Sequence, residues 1–345
     1  MSNIIATEVV LPGRVEPEGL TVADRELPPP GPGQALVRME ATGVSFAEQQ
    51  MRRGKYYDQP AFPFVPGYDI VGEVLVVGAG VDPALVGRRV AALTKIGGWS
   101  SHLTVSAGDL VPVPDGLTAE AAETFVVNGV TAWQMLHRKA KVRAGQTILV
   151  HGANGGVGST LVQLANAAGI RVIGTASVRN ADAVAALGAE PVDYRGDVPA
   201  RVRALAPGGV NAVFDHVGGP GIVDSFALLA PGGTLVSYGT AATKNEEGNS
   251  RLPVLKLFTR LLWWNALPNN RNASFYNIWA GRRRLNRFRA RVAEDLGAVF
   301  DLAERGALHP QIAARIPLRE TARALALAES GTVTGKVVIV GDAEA

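Results

Sequence analysis

Apolar and polar positions follow two different patterns along the chain. In the N-terminal third, short apolar runs are separated by Pro and Gly, which predicts a compact β domain. Farther on, β-branched runs give way to helical patterns such as Val157–Ala168, which is typical of strands alternating with helices. The predicted strands are Ala35–Glu40, Ile70–Val77, Arg89–Leu93, His102–Val105, Thr147–Val150, Arg171–Thr175, Ala212–Asp215, Thr234–Tyr238, Ile312–Pro317 and Lys336–Val340.

A glycine-rich turn joins the strand Thr147–Val150 to the helix that begins near Val157. In a dinucleotide-binding turn, the first position needs a small residue, the second lets backbone N–H groups approach a pyrophosphate, and the third packs helix on strand. Because the first position is Ala, a glycine-rich turn of another α/β unit is the alternative. The residues that we assign to cofactor binding here are Ala153, Asn154, Gly155, Gly156, Val157 and Gly158.

The segment after the second strand of this region bears on the choice of cofactor. A site for NAD places a carboxylate there to hold the ribose hydroxyls. Thr175–Asn180 reads Thr-Ala-Ser-Val-Arg-Asn, and the first acid is Asp182. A hydroxyl and a guanidinium suit a 2′-phosphate instead, because Arg offers planar bidentate donors and a permanent charge. The sequence therefore predicts NADPH, with Arg179 as a solvated loop residue as the alternative.

Length and composition exclude several classes of protein. At 345 residues the chain suggests two domains, and its lack of cysteine excludes disulfides and thiolate chemistry. The five histidines show no metal-ligand spacing, so no metal site is predicted. The N-terminus lacks a signal-peptide pattern and no apolar run would span a bilayer, so a cytoplasmic location is expected. A net charge of +3 does not indicate nucleic-acid binding.

Several ordered motifs resemble one family along nearly the whole chain. The motifs are Gly43–Glu48, Arg53–Tyr56, Pro66–Val74, Asn128–Trp133 and Gly335–Val340. Together they resemble medium-chain dehydrogenases/reductases, and most of all their zinc-independent quinone oxidoreductase branch; the Pro-Gly-Tyr-Asp motif also resembles vesicle amine transport proteins. The resemblance implies an α/β chain with a Rossmann doubly wound parallel sheet and a GroES-like β-rich catalytic domain. The expected domains are residues 1–125 with 300–345 (catalytic) and residues 126–299 (NADP-binding).

Departures from the family pattern concern the metal. Zinc-dependent members have Cys at the position of Ser45 and His at the position of Tyr68, and neither residue present here is a good Zn²⁺ ligand. Quinone oxidoreductases usually carry Asn and Glu where this chain has Ser45 and Asp69. Ser45 is kept as a catalytic candidate because its hydroxyl can still hydrogen-bond. Asp69 is expected to be structural rather than catalytic.

Tyr56 is the second catalytic candidate. It matches a tyrosine that faces the nicotinamide and the substrate in the resembling family, and a phenol can hydrogen-bond a carbonyl or donate a proton to a developing enolate. The alternative is a tyrosine packed without a proton role. Its neighbour Tyr57 makes the assignment ambiguous by one position.

The resemblance also assigns cofactor contacts outside the glycine turn. Three residues fall on positions that contact the 2′-phosphate, four beside the nicotinamide and its ribose, and two near the nicotinamide phosphate, at the start of the helix that contains Trp133. Asp215 is expected to cap a strand end. The three residues at the 2′-phosphate are Ser177, Arg179 and Tyr194, and the four beside the nicotinamide and its ribose are Val217, Gly218, Tyr238 and Gly239. The two near the nicotinamide phosphate are Asn128 and Thr131. Thr240, which follows Gly239 in the same loop, is also assigned to the cofactor.

Residues 250–293 contain no Asp or Glu, and their arginines are interleaved with aromatic residues. A lid over the substrate cleft that also meets a partner subunit is the preferred interpretation. An interfacial membrane element and a nucleic-acid site are the alternatives.

The sequence thus predicts an NADPH-dependent, zinc-independent reductase that transfers hydride to a quinone or an α,β-unsaturated carbonyl. Without a metal, the substrate's own conjugation must accept the hydride. The alternative is a non-catalytic or membrane-peripheral NADPH-binding protein of the vesicle amine transport type. The expected partners are a small-molecule substrate and a second copy of the chain, paired by extension of the sheet.

Overall fold

The computed structural model describes residues 4–239 and 251–342. The chain divides into two compact units, of which unit 1 is Met1–Val130 with Gly281–Ala345 and unit 2 is Thr131–Ala280. The strands are β1 Ile4–Val10, β2 Thr21–Leu27, β3 Gln34–Val44, β4 Asp69–Val77, β5 Arg89–Leu93, β6 His102–Ser106, β7 Val111–Pro112, β8 Thr147–Val150, β9 Arg171–Ala176, β10 Ala189–Asp193, β11 Val210–Asp215, β12 Leu229–Ser237, β13 Asn272–Phe275, β14 Ile312–Pro317 and β15 Lys336–Val340.

Helices connect most of these strands in unit 2 and flank the sheet of unit 1. A π-helical segment, Gln134–Ala140, directly follows the second helix. In the described residues, none of the helices is long and apolar enough to cross a membrane. The α-helices are α1 Phe46–Arg52, α2 Ala119–Trp133, α3 Gly156–Ala167, α4 Ala181–Ala186, α5 Val198–Leu205, α6 Ile222–Ala227, α7 Arg251–Ala266, α8 Leu285–Glu304 and α9 Thr321–Glu329.

Unit 1 is built on a mostly antiparallel sheet in the order β14-β15-β3-β4-β5-β7, with β6 also paired to β3. β1 and β2 form a separate antiparallel pair. Apolar side chains of β3, β4, β5 and β15 pack into one core with Trp99. The β-rich first domain predicted from the sequence is therefore present.

Unit 2 contains a parallel sheet in the order β10-β9-β8-β11-β12-β13. Counted from β8, this is the order 3-2-1-4-5-6 of a doubly wound dinucleotide-binding sheet. Leu149, Ile173, Val213 and Leu235 on its strands are fully buried, as expected for a sheet covered on both faces. The predicted fold class is confirmed. The strand order reverses between β8 and β11, the place where such sheets bind ligands.

The C-terminal part of the chain rejoins unit 1 at Gly281, earlier than the expected residue 300. α8 belongs to unit 1 from Leu285 onward. Arg289 Nε lies 2.8 Å from Asp109 Oδ1, and the Val299 side chain fills the space beside Gly129. These contacts tie α8 to unit 1 before the predicted boundary is reached.

The helix containing Trp133 begins earlier than predicted. α2 starts at Ala119, and the hydroxyl and carbonyl of Thr118 accept N–H groups from its first turn at 3.2 and 3.0 Å. Asn128 and Thr131 therefore lie in its C-terminal half, and the expectation that they begin the helix is wrong. Periodicity failed here because most positions of α2 are buried on every face, which leaves no polar stripe to mark the start.

Candidate functional site

The glycine turn of unit 2 has the geometry of an anion cradle. Gly155 is the N-cap residue of α3 and supplies no side-chain acceptor, so the first N–H groups of this 12-residue helix are left for a ligand. A side chain at Gly158 would overlap the carbonyl oxygen of Gly152, which itself has φ +66°. Ala153 is fully buried and donates its N–H to Thr175 O at 2.9 Å. Gly158 thus requires glycine and Ala153 is confined to a small side chain, whereas a Cβ at Gly155 would make only an ordinary contact at 3.4 Å.

A buried hydrogen-bond network lies beneath this turn. Asp215 Oδ1 accepts the N–H groups of Val217 and Gly218, both at 2.8 Å, which confirms Asp215 as a cap of the strand end. Its other oxygen accepts the Ser225 hydroxyl at 2.7 Å, and Ser225 Oγ lies 3.1 Å from His151 Nε2. Burial lowers the pKa of His151, so its ring is neutral at physiological pH. The network joins the glycine turn to the loop after β11.

The loops after β11 and β12 carry the residues assigned to the nicotinamide. Gly218 has φ +66°, and a Cβ at Gly239 would come within 2.7 Å of His216 O, so both positions require glycine. Burial raises the pKa of Tyr238, whose ring lies 5.9 Å from that of His216. Thr240, also assigned to the cofactor, lies outside the described residues.

Polar groups gather where β9 ends, at the position assigned to the 2′-phosphate. Ser177 is buried, and among the described residues its hydroxyl has no hydrogen-bond partner. Arg179 follows in an exposed 3₁₀ turn. Tyr194 donates its N–H to Ala176 O at 3.1 Å, which fixes it beside this strand end. An unpartnered buried hydroxyl two residues before an exposed arginine fits a phosphate ester.

Arg195 was missed by the sequence reasoning. Its guanidinium carbon lies 5.6 Å from the centre of the Tyr194 ring, so a second cation stands at the same strand end. Its position directly after Tyr194, in the turn following a parallel strand, was the available signal.

Unit 1 holds the two catalytic candidates, and the structure gives them different partners. Ser45 is the N-cap of α1: its Oγ accepts the Ala47 N–H at 3.1 Å and its own N–H donates to Glu48 Oε2 at 2.9 Å. The bond from the Ser45 N–H to Glu48 completes a capping box, and the Ser45 hydroxyl bonds the same carboxylate. Tyr56 is 8% exposed, and its hydroxyl bonds that of Tyr68.

Glu48, Asp69, Glu123 and Lys336 form a buried ionic cluster in unit 1. Lys336 Nζ lies 2.8 Å from Asp69 Oδ2 and pairs with Glu123 Oε1. Asp69 Oδ2 also accepts the Val127 N–H at 3.3 Å. The expectation that Asp69 is structural agrees with these contacts. The sequence did not connect the four residues, because they come from α1, β4, α2 and β15.

Carboxylates outnumber the single lysine of this cluster. Burial raises the pKa of Glu123 well above its ordinary value, against the charge of Lys336, and burial likewise raises the pKa of Glu48. Burial lowers the pKa of Lys336, but the charges of Asp69 and Glu123 outweigh it and the net shift is upward. A side chain at Gly43 would overlap Glu123 Oε1 and come within 2.5 Å of Lys336 Cε, so the cluster occupies all the space beside that residue.

The basic aromatic segment of residues 250–293 is divided between the two units. In α7, Leu257 and Leu261 are buried and Trp264 stacks on Phe226 with ring centres 4.2 Å apart. Leu262 and Trp263 on the same helix are 69% and 65% exposed. Its function as a lid, a partner contact or a membrane element stays a prediction. In the described residues, no group of three or more His, Asp or Glu side chains is arranged to hold a metal.

Comparison with known proteins agrees with this architecture. A family model described as the alcohol dehydrogenase GroES-like domain matches residues 31–115. A second, described as zinc-binding dehydrogenase, matches residues 187–339. The synaptic vesicle membrane protein VAT-1 homolog of Rattus norvegicus is 30% identical over 324 residues, which cover 91% of this chain and 78% of the relative. The Homo sapiens protein of the same name is 34% identical over 241 residues, and the match spans only 60% of its length.

Two solved structures are similar to this chain in both fold and sequence. A quinone oxidoreductase from Pseudomonas syringae pv. Tomato DC3000 superimposes with a TM-score of 0.83 at 28% identity, covering 97% of this chain and 99% of its own. A mycobacterial protein in complex with NADPH superimposes with a TM-score of 0.82 at 29% identity, with the same coverage.

Proposed function

Because the chain belongs to the medium-chain dehydrogenase/reductase superfamily, as a zinc-independent quinone oxidoreductase-like member, we propose that it is an NADPH-dependent reductase of quinones or α,β-unsaturated carbonyls. The donor set after β9 carries the choice of NADPH. Ser177 offers an unpartnered buried hydroxyl, and Arg179 and Arg195 supply cations where an NAD site would need a carboxylate.

The residues of unit 2 would hold the cofactor by its phosphates. The N-terminus of α3 would receive the pyrophosphate, and Ser177, Arg179 and Tyr194 would receive the 2′-phosphate. Gly218 and Gly239 leave room for close approach of the nicotinamide end. NADPH supplies the hydride when bound.

Tyr56 would act on the substrate oxygen. Burial is the largest cause that raises the pKa of Tyr56, so its phenol stays protonated at physiological pH and can donate a hydrogen bond. A donor held at the carbonyl oxygen stabilises the negative charge that develops there as hydride reaches the conjugated carbon. The same phenol can then give up its proton. Ser45 would support this site indirectly, since its hydroxyl caps α1.

The experiment that tests the cofactor choice compares Arg179→Ala with Arg171→Ala. Arg171 lies at the opposite end of β9 and pairs with Glu190 on the surface, so it is a matched control. We expect Arg179→Ala to weaken NADPH binding by about 10- to 100-fold and to leave NADH binding unchanged, because a charge-assisted hydrogen bond is lost. Unchanged discrimination between the two nucleotides would refute the phosphate pocket.

The experiment that tests the reaction is an NADPH-oxidation screen over quinones, enones and acyl thioesters. We expect turnover with at least one conjugated acceptor and none with a saturated ketone. Tyr56→Phe should reduce kcat by about 100-fold or more, since general acid catalysis contributes that much. Turnover that is unaltered in Tyr56→Phe would remove its proposed role.

A non-catalytic, membrane-peripheral NADPH-binding protein is the second candidate. It is favoured by α7, where Leu262 and Trp263 are exposed together with Lys256 and Arg260. NADPH binding without turnover on any acceptor, combined with sedimentation on anionic vesicles that Trp263→Ser abolishes, would support it. Thr259→Ser on the same helix is the matched control, since it leaves the apolar and basic side chains in place.

A further inference from the structure

Three tyrosines of unit 1 bring their side chains together. The hydroxyl of Tyr56 bonds that of Tyr68, and the two rings meet edge to face at 6.2 Å. The ring of Tyr57 lies 4.6 Å from that of Tyr56 and is tilted by 45°. Burial raises the pKa of Tyr57, while the neighbouring hydroxyls of Tyr56 and Tyr68 act to lower it. These residues are the tyrosine cluster.

The backbone fixes Tyr68 within this cluster. Its carbonyl accepts the Thr94 N–H at 2.9 Å, and the preceding Gly67 has φ +106°. A side chain at Gly67 would overlap the backbone N of Trp99, so the turn before Tyr68 is packed against its neighbour. Tyr68 therefore presents its hydroxyl from a rigid position.

Exposure differs sharply across the tyrosine cluster. Tyr56 and Tyr68 are 8% and 4% exposed, whereas Tyr57 is 46% exposed. Water therefore reaches one member directly and the other two are shielded. Each of the three hydroxyls carries one proton and can also accept one, so a proton that leaves one hydroxyl can be replaced from a neighbouring hydroxyl.

We propose that the tyrosine cluster is a proton relay, in which Tyr57 reloads Tyr56 from solvent and Tyr68 positions Tyr56. This inference rests on the proposed reductase function. Hydride addition leaves a negative charge on the substrate oxygen, which takes the proton of Tyr56 as the phenol O–H bond breaks. The Tyr57 proton then moves to the Tyr56 oxygen, and solvent returns a proton to Tyr57. Tyr68 donates to the Tyr56 oxygen while that oxygen carries the charge.

The relay accounts for the tyrosine at position 68. Tyr68 stands where zinc-dependent relatives have a histidine ligand, and here its hydroxyl is turned to another phenol instead of a metal. A second donor on the Tyr56 oxygen stabilises the phenolate during transfer, because a buried anion without donors is costly. Tyr57 and Tyr68 are thus positioning residues, and Tyr56 alone touches the substrate.

The test uses Tyr57→Phe, Tyr68→Phe and the control Tyr276→Phe, each of which removes one hydroxyl. Tyr276 lies in unit 2 and donates to Gln134 Oε1 at 3.1 Å, so the control loses a buried hydrogen bond outside the cluster. We measure kcat in H₂O and D₂O, the affinity for NADPH, and the effect of imidazole buffer on kcat, with the best acceptor from the screen.

We expect Tyr68→Phe to lower kcat at least about tenfold with NADPH affinity unchanged. Tyr57→Phe should lower kcat several-fold and enlarge the solvent isotope effect, and imidazole should restore its rate because the site of Tyr57 is open to solvent. Imidazole should not restore Tyr68→Phe. Tyr276→Phe should keep the wild-type kcat and isotope effect.

The outcomes separate the relay from the function on which it rests. In one outcome, the unmodified protein turns over an acceptor while Tyr57→Phe and Tyr68→Phe keep its kcat and its isotope effect. That result overturns the relay and leaves the reductase function standing. A loss of rate in Tyr57→Phe that imidazole does not restore also overturns it, since a merely structural role would respond in that way. Absence of wild-type turnover on every acceptor overturns the reductase function and the relay together.

Discussion

The two units bury polar groups in opposite ways. Unit 1 buries charges, with Lys336 between Asp69 and Glu123 and with Glu48 nearby. Unit 2 buries a hydrogen-bonded chain, in which the one carboxylate, Asp215, accepts two backbone N–H groups and the Ser225 hydroxyl. Removing one member of an ion cluster leaves a buried charge without a partner, whereas removing one hydroxyl leaves only an unpaired dipole. The units should therefore differ in their response to truncation and to pH.

The largest effect is expected for Lys336→Met. The change leaves Asp69 and Glu123 buried without their cation, and the free energy of unfolding should fall by about 3–5 kcal/mol. Denaturant unfolding at pH 7 measures it. Arg323→Met, which breaks an exposed pair with Glu320, is the control and should cost less than about 1 kcal/mol. Equal losses in the two variants would contradict the expectation that the buried cluster of unit 1 is more sensitive to truncation than an exposed ion pair.

Asp215→Ala should have the next largest effect. It leaves the N–H groups of Val217 and Gly218 and the hydroxyl of Ser225 without their acceptor, at a cost of about 1.5–3 kcal/mol of unfolding free energy. Asp215→Asn keeps one side-chain oxygen and should lose less. Denaturant unfolding of the two variants side by side checks the order, and an Asn variant as unstable as the Ala variant would contradict it.

The next effect in size is a pH dependence of the unfolding free energy, which should come from the buried carboxyl groups of unit 1. The pKa of Glu123 is raised in the folded state, so folding binds a proton and stability falls as pH rises above the ordinary value of 4.5 toward the raised pKa. Glu123→Gln mimics the protonated form and should flatten this fall, which is at most about 1.4 kcal/mol per pH unit for one proton. Glu48 shifts in the same direction, so part of the fall should remain until Glu48→Gln is added. If both substitutions left the slope of the unfolding free energy against pH unchanged, the upward pKa shifts of Glu123 and Glu48 would be contradicted.

The smallest effect is expected for Ser225→Ala. One hydroxyl between His151 and Asp215 is lost, and His151 keeps Thr175 Oγ1 at 3.3 Å as a partner. The unfolding free energy should fall by about 1 kcal/mol, with no change in pH dependence between pH 6 and 8. A thermal unfolding series over that pH range tests both statements. A pH-dependent loss would mean that His151 is charged in the folded protein.

Local features of the sequence were sufficient to predict much of the fold. β5, β8, β14 and β15 have the predicted bounds, because the short apolar stretches there end at Gly, Pro or a polar residue. β1 and β2 were not predicted, since β2 is exposed over nearly its whole length and lacks an apolar alternation. The doubly wound sheet was implied by the resemblance to medium-chain dehydrogenases/reductases, and the strand order of unit 2 agrees with it.

In the candidate site, too, features formed by contiguous residues could be predicted, and features formed by distant residues could not. The turn Ala153–Gly158 is contiguous in sequence, so its steric requirements could be read directly. The ionic cluster and the tyrosine cluster join residues far apart in the chain, and no local pattern links Asp69 to Lys336 or Tyr56 to Tyr68. Arg195 was overlooked for a different reason, since an exposed arginine in a turn gives no signal of its own until Tyr194 is placed beside it.

The close fit of Gly43 against Glu123 and Lys336 constrains how this sequence can change over generations. A methyl group at position 43 fits only if the far ends of Glu123 and Lys336 shift, which disturbs the ion pair between them. A shorter residue at 123 or 336 makes the same room but removes a member of the cluster. Replacement of Gly43 is therefore coupled to two residues that lie far from it in the sequence.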